Sequence, residues 1–299
     1  MRNRIEALKK EKNAVIMAHY YAPAEVQEIA DFVGDSFYLA KVAKESDAEV
    51  IVFCGVNFMG ESAKILCPDK KVLMPDLSAD CPMAHMVREG KIDEMRERFS
   101  DLAVVCYINS TAELKCQSDV CVTSSNAVKI VRALPNKNIF FIPDRNLGRF
   151  VAAQVPEKNI ILNDGCCPIH ADVTADSVKA LAECHKNAQI LCHPECEPEV
   201  VAMSHFSGST AEIIDFAKAS DNKEFIVCTE EGVGFKLRSD NPTKNFYFPT
   251  PCPVCKDMKL NTLENILKVL ETEDNQVEVD FDKRMGSLLP LERMLELGK

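Results

Sequence analysis

Short apolar runs recur along the chain, separated by longer stretches in which apolar residues return at helical spacing. The runs are continuous rather than alternating, as in strands of a parallel sheet that are buried on both faces. Short strands that alternate with helices are typical of βαβ units. The pattern therefore predicts an α/β fold, preceded by a charged amphipathic helix over the opening residues MRNRIEALKKEKN.

The chain also repeats itself, because segments 16–43, 104–131 and 190–217 align without gaps. Each segment opens with an apolar run that ends in a polar ring residue, and a hydroxyl residue follows 17 positions later. The three pairs are His19 with Ser36, Tyr107 with Ser124, and His193 with Thr210. Internal repetition of this size is a signal of the whole architecture.

The repeats predict three similar three-layer αβα domains with parallel sheets around a pseudo-threefold axis. The expected boundaries are 1–84, 85–170 and 171–256. The remaining segment, 257–299, shows a helical pattern, then a polar turn and a final short helix. We expect this segment to pack back on the repeats.

The repeated residues predict a shared binding site. Ligands of parallel α/β sheets bind beyond the carboxyl ends of the strands, and the ring residues stand at such ends. The hydroxyl residues mark predicted helix N-termini, where hydroxyl caps, free N–H groups and the helix dipole attract anions. An ordinary N-cap explains any one hydroxyl, but the same position in all three repeats favours an anion-binding cavity.

Three loop cysteines, Cys81, Cys167 and Cys255, each follow the last predicted strand of a repeat. Their separations of 86 and 88 residues are close to those of the ring residues, 88 and 86. Three converging thiolates suit an iron–sulfur cluster. With three protein ligands, one iron of a [4Fe–4S] cluster is free to bind substrate as a Lewis acid.

Zinc is the competing metal. Cys252 and Cys255 form a CxxC pair, and Cys166 adjoins Cys167, so a closed four-cysteine zinc site is an alternative. Adjacent cysteines chelate one zinc poorly, however, and Cys81 has no partner nearby in the sequence. The CxxC pair is also open to interpretation as a redox disulfide or as a ligand beside a free thiol.

Further candidates lie beside the ring residues. Tyr21 is a potential proton donor, and Glu195 is a candidate general base. Asn109 and Glu195 stand two residues beyond their ring residues, so they can point into the same pocket. His170, just after Cys167, is either a group that supports a metal ligand or an ordinary polar residue at a helix start.

Composition narrows the class of protein. The net charge of −11 and pI of about 5.2 argue against nucleic acid or an acidic membrane surface as the main partner. No apolar run reaches the roughly 18 residues of a membrane span, and no secretory signal is recognisable. The fourteen cysteines then suit a reducing cytoplasm, as thiols or metal ligands. No GxGxxG or Walker motif indicates a nucleotide cofactor.

At these residues the chain resembles the quinolinate synthase family in its shorter-chain form. The matching stretches are AHYY at 18–21, GDS at 34–36, CGVNFMGESAKIL at 54–66, ADCPMA at 79–84, INSTAELK at 108–115, TSSNA at 123–127, PDRNLG at 143–148, GCCPIH at 165–170, HPEC at 193–196, GSTAEII at 208–214 and the run from Cys252 to Glu264. The resemblance covers nearly the whole chain, and its specificity comes from the length and order of the set.

The resemblance implies a [4Fe–4S] cluster at the junction of three α/β domains, with Cys81, Cys167 and Cys255 as ligands. It implies condensation of iminoaspartate with dihydroxyacetone phosphate to quinolinate, with loss of phosphate and water, in NAD biosynthesis. L-aspartate oxidase or aspartate dehydrogenase is the implied supplier of iminoaspartate. Tyr21, His19 and Glu195 are the implied catalytic residues. The implied substrate contacts are His19, Ser36, Tyr107, Ile108, Asn109, Ser124, His193, Pro194, Glu195 and Thr210.

Two other functions stay open at this point. One is a different iron–sulfur hydro-lyase that acts on a small hydroxy acid and shares the open iron. The other is a zinc-stabilised binding module without catalysis. Iron content and a quinolinate assay separate the three.

Overall fold

The computed structural model describes all of residues 1–299 and contains three separate four-stranded sheets. The first unit comprises α1 Arg2–Glu11, β1 Ala14–His19, α2 Ala24–Ile29, β2 Phe32–Gly34, α3 Ser36–Glu45, β3 Val50–Cys54, α4 Asn57–Leu66 and β4 Lys71–Leu73. The second comprises α5 Lys91–Arg98, β5 Leu102–Tyr107, α6 Ala112–Cys116, β6 Val120–Val122, α7 Ala127–Ala133, β7 Asn138–Ile142, α8 Arg145–Gln154, β8 Asn159–Leu162 and α9 Pro168–Ala171.

The third unit comprises α10 Ala175–Cys184, β9 Gln189–Cys192, α11 Pro198–Val201, β10 Phe206–Ser207, α12 Thr210–Ala219, β11 Glu224–Cys228, α13 Val233–Asp240 and β12 Asn245–Tyr247. Two further helices complete the chain, α14 Leu263–Thr272 and α15 Phe281–Leu297. Short 3₁₀ turns lie at Pro82–His85 and Met258–Leu260.

The three sheets share one topology. Their strand orders are β2-β1-β3-β4, β6-β5-β7-β8 and β10-β9-β11-β12, and every strand pair is parallel. The predicted α/β class with three similar parallel sheets is confirmed. The domain boundaries themselves stay a prediction.

Each sheet is buried on both faces, as the continuous apolar runs predict. In β1, Ile16 and Ala18 pack with α1, α2 and α14, whereas Met17 packs with α3 and α4. In β9, Ile190 packs with α10 and α11, whereas Leu191 packs with α12 and α13. Successive side chains of a strand point to opposite faces, so an unbroken apolar run requires helices on both sides.

A repeated side-chain contact fixes the second strand of each unit. Asp31 donates its N–H to the Ile16 carbonyl at 2.9 Å and accepts the Ile16 N–H on Oδ2 at 2.7 Å. Asp119 makes the same two bonds with Val104 at 2.9 and 2.7 Å. In the third unit, Nδ1 of His205 takes the place of the carboxylate. The repeat therefore extends to hydrogen bonds that the apolar pattern does not reveal.

A second repeated contact caps the C-terminal ends of the helices that follow these strands. Lys70, Lys158 and Lys244 lie at the repeat separations of 88 and 86 residues. Each donates its ammonium to carbonyl groups at the C-terminal end of α3, α7 or α12. A cation at a helix C-terminus satisfies unpaired carbonyls and complements the helix dipole. The predicted hydroxyl residues lie at the N-terminal ends of α3 and α12 and three residues before α7.

The C-terminal helices pack across the units. α14 lies against α1, and α15 lies against α6, β6 and α4. The prediction of a short final helix was wrong, because α15 has 17 residues and continues through Pro290. Proline normally interrupts a helix, but here Leu291 and Met294 are buried on the far side of it, and that packing sustains the helix. No helix in the structure is both long and apolar enough to cross a membrane.

Replacing Lys244 by Met should lower the free energy of unfolding by about 1 kcal/mol, because the carbonyls of Ala217 and Ser220 lose their donor. Urea unfolding followed by circular dichroism measures the change. Lys223→Met is the matched control, since Lys223 is exposed in the same unit and its side chain makes no ion pair. Equal destabilisation by the two variants would contradict the capping role.

Candidate functional site

The carboxyl ends of the three sheets converge on one cavity of about 230 Å³. Twelve of the fourteen sequence-predicted site residues line it: His19, Tyr21, Ser36, Cys81, Tyr107, Asn109, Ser124, Cys167, His193, Glu195, Thr210 and Cys255. Ile108 and Pro194 are buried in the loops after β5 and β9 but do not line the cavity. Their proposed contact with substrate stays a prediction.

The strand order decides where the ring, hydroxyl and cysteine residues lie around the cavity. In each unit the ring residue is the last residue of the inner strand β1 or β5, or comes directly after the inner strand β9. The hydroxyl residue follows the edge strand beside it, and the cysteine follows the opposite edge strand. Neighbouring strands lie about 4.8 Å apart. Hydroxyl groups and thiols therefore leave the sheet on opposite sides of the ring residues, and a ligand between them meets both sets.

The hydroxyl residues do not cap their helices as predicted. Asp35 is the N-cap of α3, which begins at Ser36, and Ser209 is the N-cap of α12, which begins at Thr210. In the second unit, Ser124 lies three residues before the start of α7. In α3 and α12 the N-cap side chains of Asp35 and Ser209 accept helix N–H groups, and all three predicted hydroxyl residues line the cavity.

Tyr21 reaches from the first unit into the third. Its hydroxyl lies 2.8 Å from Oγ1 of both Thr210 and Thr229. Burial raises the pKa of Tyr21 well above its usual value, so the phenol stays protonated near neutral pH. The sequence indicated Tyr21 and Thr210, but not Thr229, which lies one residue beyond β11.

His19 is held as a neutral imidazole. Its Nδ1 accepts the N–H of Tyr21 at 3.2 Å, which leaves the proton of the neutral ring on Nε2. Burial lowers the pKa of His19 to about 3. A neutral ring with a free Nε2–H is a hydrogen-bond donor to a ligand.

His170 belongs to the cavity wall rather than to an exposed helix start. It lies in the short helix α9, with Nδ1 at 3.1 Å from Cys167 Sγ and at 3.1 Å from Glu195 Oε2. Its Nε2 lies 2.9 Å from Thr229 Oγ1. Burial lowers the pKa of His170 to about 4. Cys167, His170 and Glu195 together form a group whose ligand atoms could hold one metal ion.

Glu195 is a buried carboxylate between two imidazoles. Burial alone would raise its pKa, but His170 and His193, with Nδ1 atoms at 3.1 and 3.2 Å from Oε2, lower the pKa to about 2. The other oxygen, Oε1, is buried without a hydrogen-bond partner, and so is Oδ1 of Asn109. An unpaired buried acceptor costs about 1–3 kcal/mol. Both acceptors are therefore available to a donor on a ligand.

The three loop cysteines, one from each unit, line the same cavity. Burial first, and then the charge of Glu195, raise the pKa of Cys81, which reaches about 12. Burial and the charge of Glu195 likewise raise the pKa of Cys167. All fourteen cysteines are free thiols, and Cys166 and Cys252 do not line the cavity. Thiols without a nearby cation stay protonated until a metal ion binds them and displaces the proton.

Two buried carboxyl groups that the sequence did not single out hold the cysteine loops. Asp144 Oδ2 accepts the backbone N–H of Cys167 at 3.1 Å, and Glu230 Oε1 accepts that of Cys255 at 3.0 Å. Asp144 and Glu230 are 86 residues apart, the repeat separation, and the equivalent first-unit residue is Val56. A search for carboxylates at that separation would have found them.

Buried polar side chains also join neighbouring units. Lys115 of the second unit donates to the Phe58 carbonyl of the first at 3.2 Å. Asn146 of the second unit donates to the Glu195 carbonyl of the third at 3.0 Å. Gln27 of the first unit donates to a carbonyl of the third, that of residue 232, at 3.1 Å. Each boundary that meets the cavity is thus tied by a hydrogen bond shielded from water.

The cavity carries more acidic than basic side chains. Lys256 is its one lysine, whereas its carboxyl groups belong to Asp35, Asp80, Glu195, Glu230 and Asp257. Burial raises the pKa of Asp35 and Glu230. Binding of an anion here therefore depends on hydroxyl, imidazole and backbone N–H donors rather than on a basic patch.

Comparison with known proteins identifies close relatives. The family described as "Quinolinate synthetase A protein" matches residues 3–296. The chain is 52% identical over 298 residues to a "Quinolinate synthase" of Caldicellulosiruptor bescii, covering 100% of this chain and 98% of the relative. A protein of the same name from Fusobacterium nucleatum is also 52% identical, with 100% and 99% covered. One from Clostridioides difficile is 48% identical, with 98% and 97% covered.

The neutral state of His19 should make the metal-free protein acid-sensitive. Its folded pKa of about 3 lies below the unfolded value near 6.5, so the unfolded chain binds more protons between these values. Stability is therefore lost as the pH falls below 6.5, by about 2 kcal/mol at pH 5 for this group. Urea unfolding at pH 7 and pH 5 measures the loss of unfolding free energy between the two pH values. This loss should be about 2 kcal/mol smaller in His19→Gln than in the wild type. Identical losses in the two proteins would contradict the burial of a neutral ring.

Proposed function

Because the chain belongs to the quinolinate synthetase A family, we propose that it is a quinolinate synthase, a transferase that condenses iminoaspartate with dihydroxyacetone phosphate. The products would be quinolinate, phosphate and water, and the reaction would serve NAD biosynthesis. One observation carries the proposal: three loop thiols and three hydroxyl groups, one of each from every unit, line the same buried cavity.

In this proposal a [4Fe–4S] cluster is bound by Cys81, Cys167 and Cys255. Two features support the assignment: the thiols line one cavity, and each comes from a separate loop. The three carboxyl groups Asp80, Asp144 and Glu230 accept the backbone N–H groups of these cysteines. When bound, the cluster would supply a Lewis-acidic iron for the loss of a hydroxyl group.

The hydroxyl groups and amides of the cavity suit the two substrates. A dicarboxylate and a phosphate ester need donors, and Ser36, Ser124 and Thr210 supply three hydroxyls on one side of the ring residues. His193 Nε2 lies 3.3 Å from Ser124 Oγ, so the two groups can bind one anionic oxygen together. The unpaired acceptors of Asn109 and Glu195 suit the imine N–H and the triose hydroxyls.

Proton transfer is proposed for three side chains. Tyr21 remains protonated because burial raises its pKa, which suits a proton donor. Glu195 remains ionised, because the facing imidazoles lower its pKa, and it can receive a proton from a carbon or nitrogen acid of the substrate. His19 presents Nε2–H and can orient a carbonyl or phosphate oxygen. Burial in a water-poor cavity strengthens each of these interactions.

The proposal includes a cytoplasmic location and a supplying enzyme. Fourteen free thiols are compatible with a reducing compartment. L-aspartate oxidase or aspartate dehydrogenase would provide iminoaspartate. No observation favours the other iron–sulfur hydro-lyase or the zinc-stabilised module over quinolinate synthesis.

The ligand assignment predicts a clear division among cysteine variants. Cys81→Ala, Cys167→Ala and Cys255→Ala should each lose the cluster and abolish quinolinate formation, since three-thiolate ligation tolerates no omission. Iron and sulfide analysis of anaerobically purified protein, together with a quinolinate assay, measures both effects. Wild-type protein should contain about four irons per chain.

Cys166→Ala and Cys252→Ala are the matched controls, because each removes the thiol neighbouring a proposed ligand but outside the cavity. Both should keep the cluster and the activity. A full cluster in Cys167→Ala would overturn the ligand choice. Colourless wild-type protein containing zinc would overturn the function itself.

A further inference from the structure

The loop that carries Tyr21 is held by its backbone carbonyls. Gln27 Nε2 lies 2.9 Å from the Tyr20 carbonyl and 2.8 Å from the Ala22 carbonyl. Lys259 Nζ donates to the intervening Tyr21 carbonyl at 2.9 Å. Two side chains thus hold three consecutive carbonyls. Gln27 belongs to the first unit, whereas Lys259 comes from the 3₁₀ turn after Cys255.

Lys259 uses every donor that its ammonium possesses. Besides the Tyr21 carbonyl, Nζ lies 2.9 Å from Glu230 Oε1 and 3.0 Å from Glu231 Oε1. An ammonium has three N–H donors, and here each has its own acceptor. The side chain of Glu230 is 1% exposed, so its charge depends on this partner rather than on water.

Glu230 Oε1 is a shared acceptor. It binds Lys259 Nζ and, at 3.0 Å, the backbone N–H of Cys255. The backbone N–H of Lys259 also donates to the Cys255 carbonyl at 3.3 Å. A continuous set of contacts therefore runs from the Tyr21 carbonyl through Lys259 and Glu230 to the backbone on both sides of Cys255.

The packing around this set leaves little freedom. A Cβ added to Gly232 would lie 2.8 Å from Tyr21 Cα and 2.9 Å from both Glu230 Oε2 and Lys259 Nζ. The first and third units approach each other here as closely as a glycine permits. Displacement of the ammonium would therefore move the Tyr21 loop and the Cys255 loop together.

We propose that Lys259 is a positioning residue. It fixes the position of the Tyr21 phenol relative to the Cys255 thiolate across the boundary of the first and third units. This inference rests on the proposed function. Lys259 itself does not line the cavity, so it acts through residues that do. Val56 occupies the equivalent of Glu230 in the first unit, so Cys81 has no counterpart of this pair.

The test compares Lys259→Met, Glu230→Gln and the double variant with the anaerobic wild-type holoenzyme. Met keeps the length of the side chain and removes all three donors. We expect kcat for quinolinate formation to fall about tenfold to a hundredfold in Lys259→Met, with KM for both substrates changed less than about twofold. We also expect faster release of iron to a chelator and an altered electron paramagnetic resonance signal of the reduced cluster.

Coupling distinguishes positioning from a general loss of structure. Gln at position 230 keeps an acceptor for the Cys255 N–H, so Glu230→Gln should perturb iron release less than Lys259→Met does. The double variant should be no worse than Lys259→Met alone, since the two residues act as one unit. Lys179→Met, an exposed surface lysine of the third unit, is the control and should match the wild type in every measurement.

Three results would overturn the inference. Wild-type kcat and iron release in Lys259→Met would show that the contacts have no functional effect. Fewer active sites with an unchanged kcat per cluster would show a purely structural role. Additive losses of kcat in the double variant would show that Lys259 and Glu230 act independently. The proposed function is tested separately with the wild-type protein. A wild type that binds the cluster but forms no quinolinate would refute that function alone. The iron-release and spectroscopic measurements would still decide the role of Lys259.

Discussion

The whole structure depends on one constraint, that the strands of a parallel sheet all end at the same edge. Each of the three sheets therefore delivers a ring residue, a hydroxyl residue and a cysteine to one place, in an order set by β2-β1-β3-β4 and its equivalents. Since the carboxyl ends of the three sheets converge, nine such positions surround a single cavity. The apolar layers on both faces of each sheet stabilise this arrangement, because the cavity itself contributes little apolar burial.

The cavity is costly to maintain. It contains buried carboxyl groups, neutral imidazoles and two acceptors with no partner. Partial compensation comes from local contacts: imidazoles beside Glu195, a lysine beside Glu230, and backbone N–H groups on Asp144. Groups left unsatisfied in a folded protein are groups that a ligand can satisfy, so hydrogen bonds to a ligand can offset the cost of burying them.

The three units share the contacts that hold their scaffold but differ in the side chains that face the cavity. The strand contacts of Asp31, Asp119 and His205 and the lysine caps of α3, α7 and α12 recur in all three units. Facing the cavity, the equivalent positions differ: Tyr21, Asn109 and Glu195 stand two residues beyond their ring residues. A phenol, an amide and a carboxylate thus occupy one position of the repeat, so three different groups face the cavity.

The sequence by itself determined the repeats, the parallel α/β class and twelve of the residues that reach the cavity, because period and spacing are local properties of the chain. Strand burial, the ring residues and the loop cysteines followed from those alone. Tertiary structure decided what depends on neighbours far along the chain: the length of α15 and the contacts of Thr229, Asp144 and Lys259. Such contacts join residues up to 238 positions apart, and no local pattern encodes which of many polar side chains will meet once the apolar faces are buried.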